Sequence, residues 1–202
     1  MTNWKIWLFN PFKFVAGFKA LVIGLVFVVA ASLLGSLGNI HFDGVLDAHY
    51  GPAWPIWAFI VEGLIDWLSL ALILAIFAVI LWRKTSRFID VVGTQALARW
   101  PSLVVSLILL CGAYKRAINE VVAQAQQGGG LAALNAVDMT ALIVISVLLI
   151  AFVVWMVALM YLAFSISCNA KGAKAAIVFI VALVLGEVIS KIALIQLVRC
   201  IS

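Results

Sequence analysis

One stretch limits what this chain can fold into: WPIWAFIVEGLIDWLSLALILAIFAVILWR, from Trp54 to Arg83. Between Trp57 and Trp82 its only ionisable residues are Glu62 and Asp66. A helix of about 20 apolar residues crosses a bilayer, so this stretch is long enough to span one with some tilt. Trp54 and Trp57 stand at one end and Trp82 at the other, as aromatic belts do at the two membrane interfaces, and Arg83-Lys84 ends the run. Of the 202 residues, 67% are hydrophobic and 10% charged, against about 25% charged in an average soluble domain. A water-soluble core of this size has no place for so much apolar surface, which must face lipid and other helices instead. The expected fold class is all-α: a polytopic membrane bundle of about five transmembrane helices.

Residues 1–15 read as an interfacial amphipathic segment, with Trp4, Trp7, Phe9, Phe12 and Phe14 interleaved with Lys5 and Lys13, and Lys19 just beyond. Residues 16–202 then form a single membrane domain, with spans expected near 16–37, 56–82, 96–114, 139–164 and 175–198. The first span is read as a retained signal anchor, because its apolar run outlasts a signal-peptide core. Ala31 and Gly35 lie four apart in it, as do Gly186 and Ser190 in the last span. Small residues at that spacing let helices approach closely. The loop from Gly38 to Pro55 carries His41, Asp43, Asp47 and His49. These are metal-ligand types, but the spacing is loose and the Gly44 and Gly51-Pro52 turns favour a solvated loop, so no metal is expected. The connector from Arg83 to Pro101 places Phe88, Ile89, Val92, Leu97 and Trp100 at roughly helical spacing, as in a segment lying along the membrane surface. The third span is the least defined, since its unbroken apolar run stops before Lys115-Arg116. The Gln126-to-Gly130 run reads as a permissive connector rather than a phosphate loop, because no Lys-Ser/Thr end follows it.

The net charge of +5 is scattered between apolar blocks rather than gathered in one patch. Nucleic acid is therefore not an expected partner, and membrane lipids are. Lys5, Lys13, Lys19, Arg83, Lys84, Arg87, Arg99, Lys171 and Lys174 fall in alternate connections and read as interfacial, lipid-facing basic residues. Cytoplasmic loops carry such an excess, which predicts a multi-pass protein of a cell inner membrane with the N-terminus cytoplasmic and the C-terminus outside. Cys111, Cys168 and Cys200 are far apart and suggest neither a disulfide framework nor a metal site. No cofactor is implied.

An ionisable side chain at membrane depth is a functional candidate, because a charge there costs at least about 2.5–3.5 kcal/mol. Glu62 and Asp66 lie one helical turn apart on one face, as do Glu187 and Lys191 in the last span. The four residues are expected to meet in one intramembrane polar cluster, with Lys191 neutralising part of the carboxylate charge. Such a cluster is either a proton or cation path or a seam that orients helices. The chain has no GxSxG elbow, HExxH motif or GxGxxG fingerprint, and no catalytic residue is expected.

Three stretches carry a likeness to a known family: FNPFKFV before the first span, FIDVVGTQALARWP after the second, and SCNAKGAKAAIVFIVALVLGEVI at the final turn and span. With these the chain resembles a small bacterial member of the Yip1 family. That resemblance implies a five-helix membrane domain with a cytoplasmic N-terminus and, for eukaryotic relatives, vesicle traffic and binding of small membrane-anchored GTPases. Those relatives carry a long cytosolic region with an Asp-Leu-Tyr-Gly-Pro motif before the first span. Here Tyr50-Gly51-Pro52 lies after that span, so GTPase binding is not carried over. The expected function is that of a non-enzymatic membrane scaffold or partner-binding protein, its partners other membrane proteins or further copies of itself. The alternative is a small proton- or cation-coupled transporter.

Overall fold

The computed structural model describes residues 3–83, 85–126 and 134–201. Lys84 and most of the expected connector, residues 127–133, lie outside them. The chain is an all-α bundle: α1 (Asn3–Phe9), α2 (Gly17–Gly38), α3 (Ile56–Leu81), α4 (Phe88–Ala98), α5 (Pro101–Leu109), α6 (Gly112–Gln126), α7 (Ala136–Cys168) and α8 (Gly172–Ile201). The described helices include five candidate membrane spans, namely α2, α3, α4 with α5, α7 and α8. This is a multi-pass membrane protein. Between α2 and α3 the chain makes a minimal hairpin, β1 (Ile40–His41) with β2 (His49–Tyr50), in which Ile40 pairs with Tyr50 and His41 with His49. One end of the bundle therefore carries the hairpin, and the opposite end carries the basic turns.

The third span is the centre of the molecule. It is 72% buried, against 17% for α7 and 28% for α8. α4 packs on α2, α3 and α7, α5 packs on α2 and α7, and α8 packs on α3. The span begins earlier than expected, at Phe88, and breaks in the middle. Pro101 opens α5 at its first position, where its missing N–H costs nothing, and the Ser102 hydroxyl donates to the Arg99 carbonyl at 2.6 Å across the break. The expected surface segment is thus inside the bundle: Val91 to Ala98 are all buried. Its entry depends on small residues, since a Cβ on Gly24 would overlap the backbone of Ala96 and Leu97, and one on Gly93 would meet the Gly17 carbonyl at 2.5 Å.

The small-residue faces serve this packing. The Ala31 carbonyl accepts from the Ser106 hydroxyl at 3.0 Å, a Cβ on Gly35 would meet the Ile40 carbonyl at 2.7 Å, and one on Gly186 would meet the Leu70 Cα at 3.2 Å. Ala31, Gly186 and Ser190 therefore pack helices together within one chain, and Gly35 makes room for the start of the hairpin. The interfacial segment forms α1 and a 3-10 turn at Pro11–Lys13, with Pro11 and Phe12 buried and Lys5 and Lys13 exposed. Lys19, Arg83, Arg87, Lys171 and Lys174 are likewise exposed at the basic end, where Lys174 lies over the Trp82 ring at 5.3 Å. Beyond α5, the Lys115-Arg116 region forms the amphipathic helix α6, which lies on α7 with Tyr114 and Ala117 inward.

Candidate functional site

The alternation of apolar and carboxylate residues in α3 points Glu62 and Asp66 into the bundle, where they are 1% and 0% exposed. Neither meets Lys191. Asp66 Oδ1 accepts from the Ser190 hydroxyl of α8. The Asp66 main-chain carbonyl accepts from Arg99 Nη2 at 2.8 Å, which holds the guanidinium near the carboxylate deep in the bundle. Arg99 was expected among the lipid-facing basic residues. It is instead buried at the break between α4 and α5, because the polypeptide there has entered the bundle and the guanidinium donates to the Asp66 main-chain carbonyl.

Glu62 pairs with a residue from the loop that was expected to be solvated. The hairpin folds back over the end of α3, leaving His41 only 2% exposed between Trp54 and Phe59, whose rings lie 4.3 and 4.6 Å from it. Gly51 is required beneath it, since a Cβ there would meet the imidazole at 2.5 Å. His41 Nε2 is 2.8 Å from the Pro52 carbonyl, and Nδ1 is 3.1 Å from Glu62 Oε2. A carbonyl only accepts, so Nε2 carries a hydrogen. Two lone pairs cannot face each other at 3.1 Å, so a proton also lies between Nδ1 and Oε2. Whichever atom holds it, the pair is neutral overall. Burial opposes the charged ring, yet the hydrogen bonds to Glu62 and the Pro52 carbonyl outweigh it and raise the His41 pKa.

Glu187 and Lys191 occupy a separate place, at the hairpin-end rim. Lys191 Nζ lies 3.4 Å from Asp47 Oδ2 and 3.5 Å from Glu187 Oε1, and its side chain is 46% exposed. Glu187 Oε2 accepts from the Leu46 amide at 3.3 Å, and Gly44 leaves room for that carboxylate. The single expected cluster is therefore two: an interior one of His41, Glu62, Asp66, Arg99 and Ser190, and a rim one of Asp43, Asp47, His49, Glu187 and Lys191. A cleft of about 280 Å³ joins them, lined by His41, Asp43, His49, Glu62, Lys191 and apolar residues of α8.

Further polar groups lie along the third span. Gln95 Nε2 donates to the Met160 carbonyl at 2.9 Å, and the Thr94 hydroxyl shares a hydrogen bond with the Ser167 hydroxyl at 2.9 Å. Among the buried side-chain atoms without a hydrogen-bond partner are Glu62 Oε1, Asp66 Oδ2 and Gln95 Oε1. His41 and Arg99 are the residues that sequence reasoning missed. For Arg99 the one available signal was its position directly before Trp100-Pro101, a helix break inside an otherwise apolar segment. No family model matches the chain, and neither a curated protein nor a solved structure does.

Proposed function

We propose that this is a non-enzymatic membrane protein of Yip1 type, a scaffold or partner-binding protein of a bacterial inner membrane with its N-terminus in the cytoplasm. The observation that carries the reading is that the interior polar groups bond to neighbouring elements. Glu62 shares a proton with His41, and Asp66 accepts from Ser190 through its carboxylate and from Arg99 through its main-chain carbonyl. Contacts of this kind fix which elements meet, joining α3 to the hairpin, α4 and α8. The family likeness rests on the three sequence stretches, and the five spans agree with what it implies. The orientation rests on the exposed basic residues gathered at the end where α2 begins.

Partner contact is best placed at the hairpin end, where α6 presents Asn119, Glu120 and Val122 outward. A photo-crosslinking residue at Val122 in cells should give discrete adducts that are absent when it stands at Ile150, on the exposed apolar face of α7. Equal, diffuse labelling from both positions would count against a partner there.

A second reading, a proton- or cation-coupled transporter, draws on the unpartnered oxygens of Glu62 and Asp66 and on the polar side chains that continue through Gln95 to Thr94. The two readings part on proton flux through reconstituted protein.

A further inference from the structure

The rim of the hairpin-end cleft holds more negative charge than it balances. Asp43, Asp47 and Glu187 face a single ammonium, that of Lys191, which leaves a formal excess of two negative charges with His49 neutral. We propose that Asp43, Asp47 and His49 bind a divalent cation of the zinc class at this rim. One ligand atom from each of the three lies within 4.8 Å of the others. Two ligands of a tetrahedral ion, each about 2.1 Å from the metal, stand about 3.4 Å apart. His49 Nδ1 and Asp43 Oδ1 are already 3.3 Å apart. Asp43 Oδ1 is shielded from solvent and has no hydrogen-bond partner despite that approach.

The second observation comes from below the rim. Glu62 is 1% exposed, lines the same cleft, and its Oε1 has no hydrogen-bond donor. A water on the ion supplies one, the support that a carboxylate behind a metal commonly gives. One imidazole with two carboxylates, and a coordination position open to the cleft, suits zinc better than magnesium or calcium, which prefer oxygen ligands alone. The backbone fixes the donors: strand pairing of His41 with His49 sets the imidazole, and Gly44 lets the loop carrying the aspartates close on Glu187. Lys191, 3.4 Å from Asp47, takes the place of the cation while the site is empty and must swing aside when it fills. The inference does not rest on the scaffold reading, since either a scaffold or a transporter can carry such a site.

The test is calorimetric titration of ZnCl2 into chelator-stripped full-length protein in nanodiscs, with cobalt(II) absorption as a readout of coordination. The expected result is one Zn2+ per chain, bound at least tenfold more weakly by His49→Gln and by Asp43→Asn, and severalfold more tightly by Lys191→Met. Zn2+ should also raise the thermal midpoint of the wild type but not that of His49→Gln, whose metal-free midpoint should equal the wild type's. Absence of saturable binding, or binding that survives both ligand substitutions, would overturn the proposal.

Discussion

At the scale of single residues, the fold depends on Arg99 reaching the Asp66 main-chain carbonyl. A hydrogen bond to a charged group contributes about 1.5–3 kcal/mol. Arg99→Met should therefore lower the stability of the folded bundle by that much in a denaturant titration. Asp66→Asn keeps the carbonyl and should cost less than Arg99→Met. A larger loss from Asp66→Asn would show that the carboxylate, and not the main chain, is what Arg99 holds. Glu62 and Asp66 were legible in the sequence because an apolar run makes any carboxylate conspicuous. Their partners were not. Arg99 follows a connector already rich in basic residues, where only the Trp100-Pro101 break beside it separates a buried guanidinium from an interfacial one. His41 lies in a loop with two aspartates and two glycine turns, and only the return of the hairpin onto Phe59 buries it. Lys191 lies 3.5 Å from Glu187, four residues earlier, and that pair belongs to the rim because the hairpin loop supplies Asp47 there.

Among the elements, the third span is the one whose course decides the topology. It was read as starting near residue 96, with the connector before it lying along the membrane surface because Phe88, Ile89, Val92, Leu97 and Trp100 recur at roughly helical spacing. Thr94 and Gln95 Nε2 bond to α7 and Arg99 to α3, so the polar residues mark the buried face rather than the end of the span. The other four spans were legible to within a few residues, since their apolar runs face lipid and need no tertiary information. The three free cysteines test the crossing directly. Cys111 is exposed at the junction of α5 and α6, Cys200 is exposed in the last turn of α8, and Cys168 is buried at the basic end of α7. A membrane-impermeant maleimide applied outside intact cells should label Cys111 and Cys200 and leave Cys168 unmodified. Labelling of neither Cys111 nor Cys200 would mean that the third span does not cross.

For the whole molecule, buried polar groups bridge neighbouring elements around a broken central span, with lipid-facing α7 and α8 outside it and one charged rim at the hairpin end. The central claim is thus that the carboxylates clamp helices together and do not carry protons. Its direct test is proton flux in liposomes loaded with a pH-sensitive dye, comparing wild type, Asp66→Asn and Glu62→Gln under an imposed pH gradient. The account predicts flux no greater than in empty liposomes for all three, with both variants less stable than the wild type. Flux in the wild type that disappears in Asp66→Asn, with that variant still folded, would contradict it and make the polar groups of the third span a path.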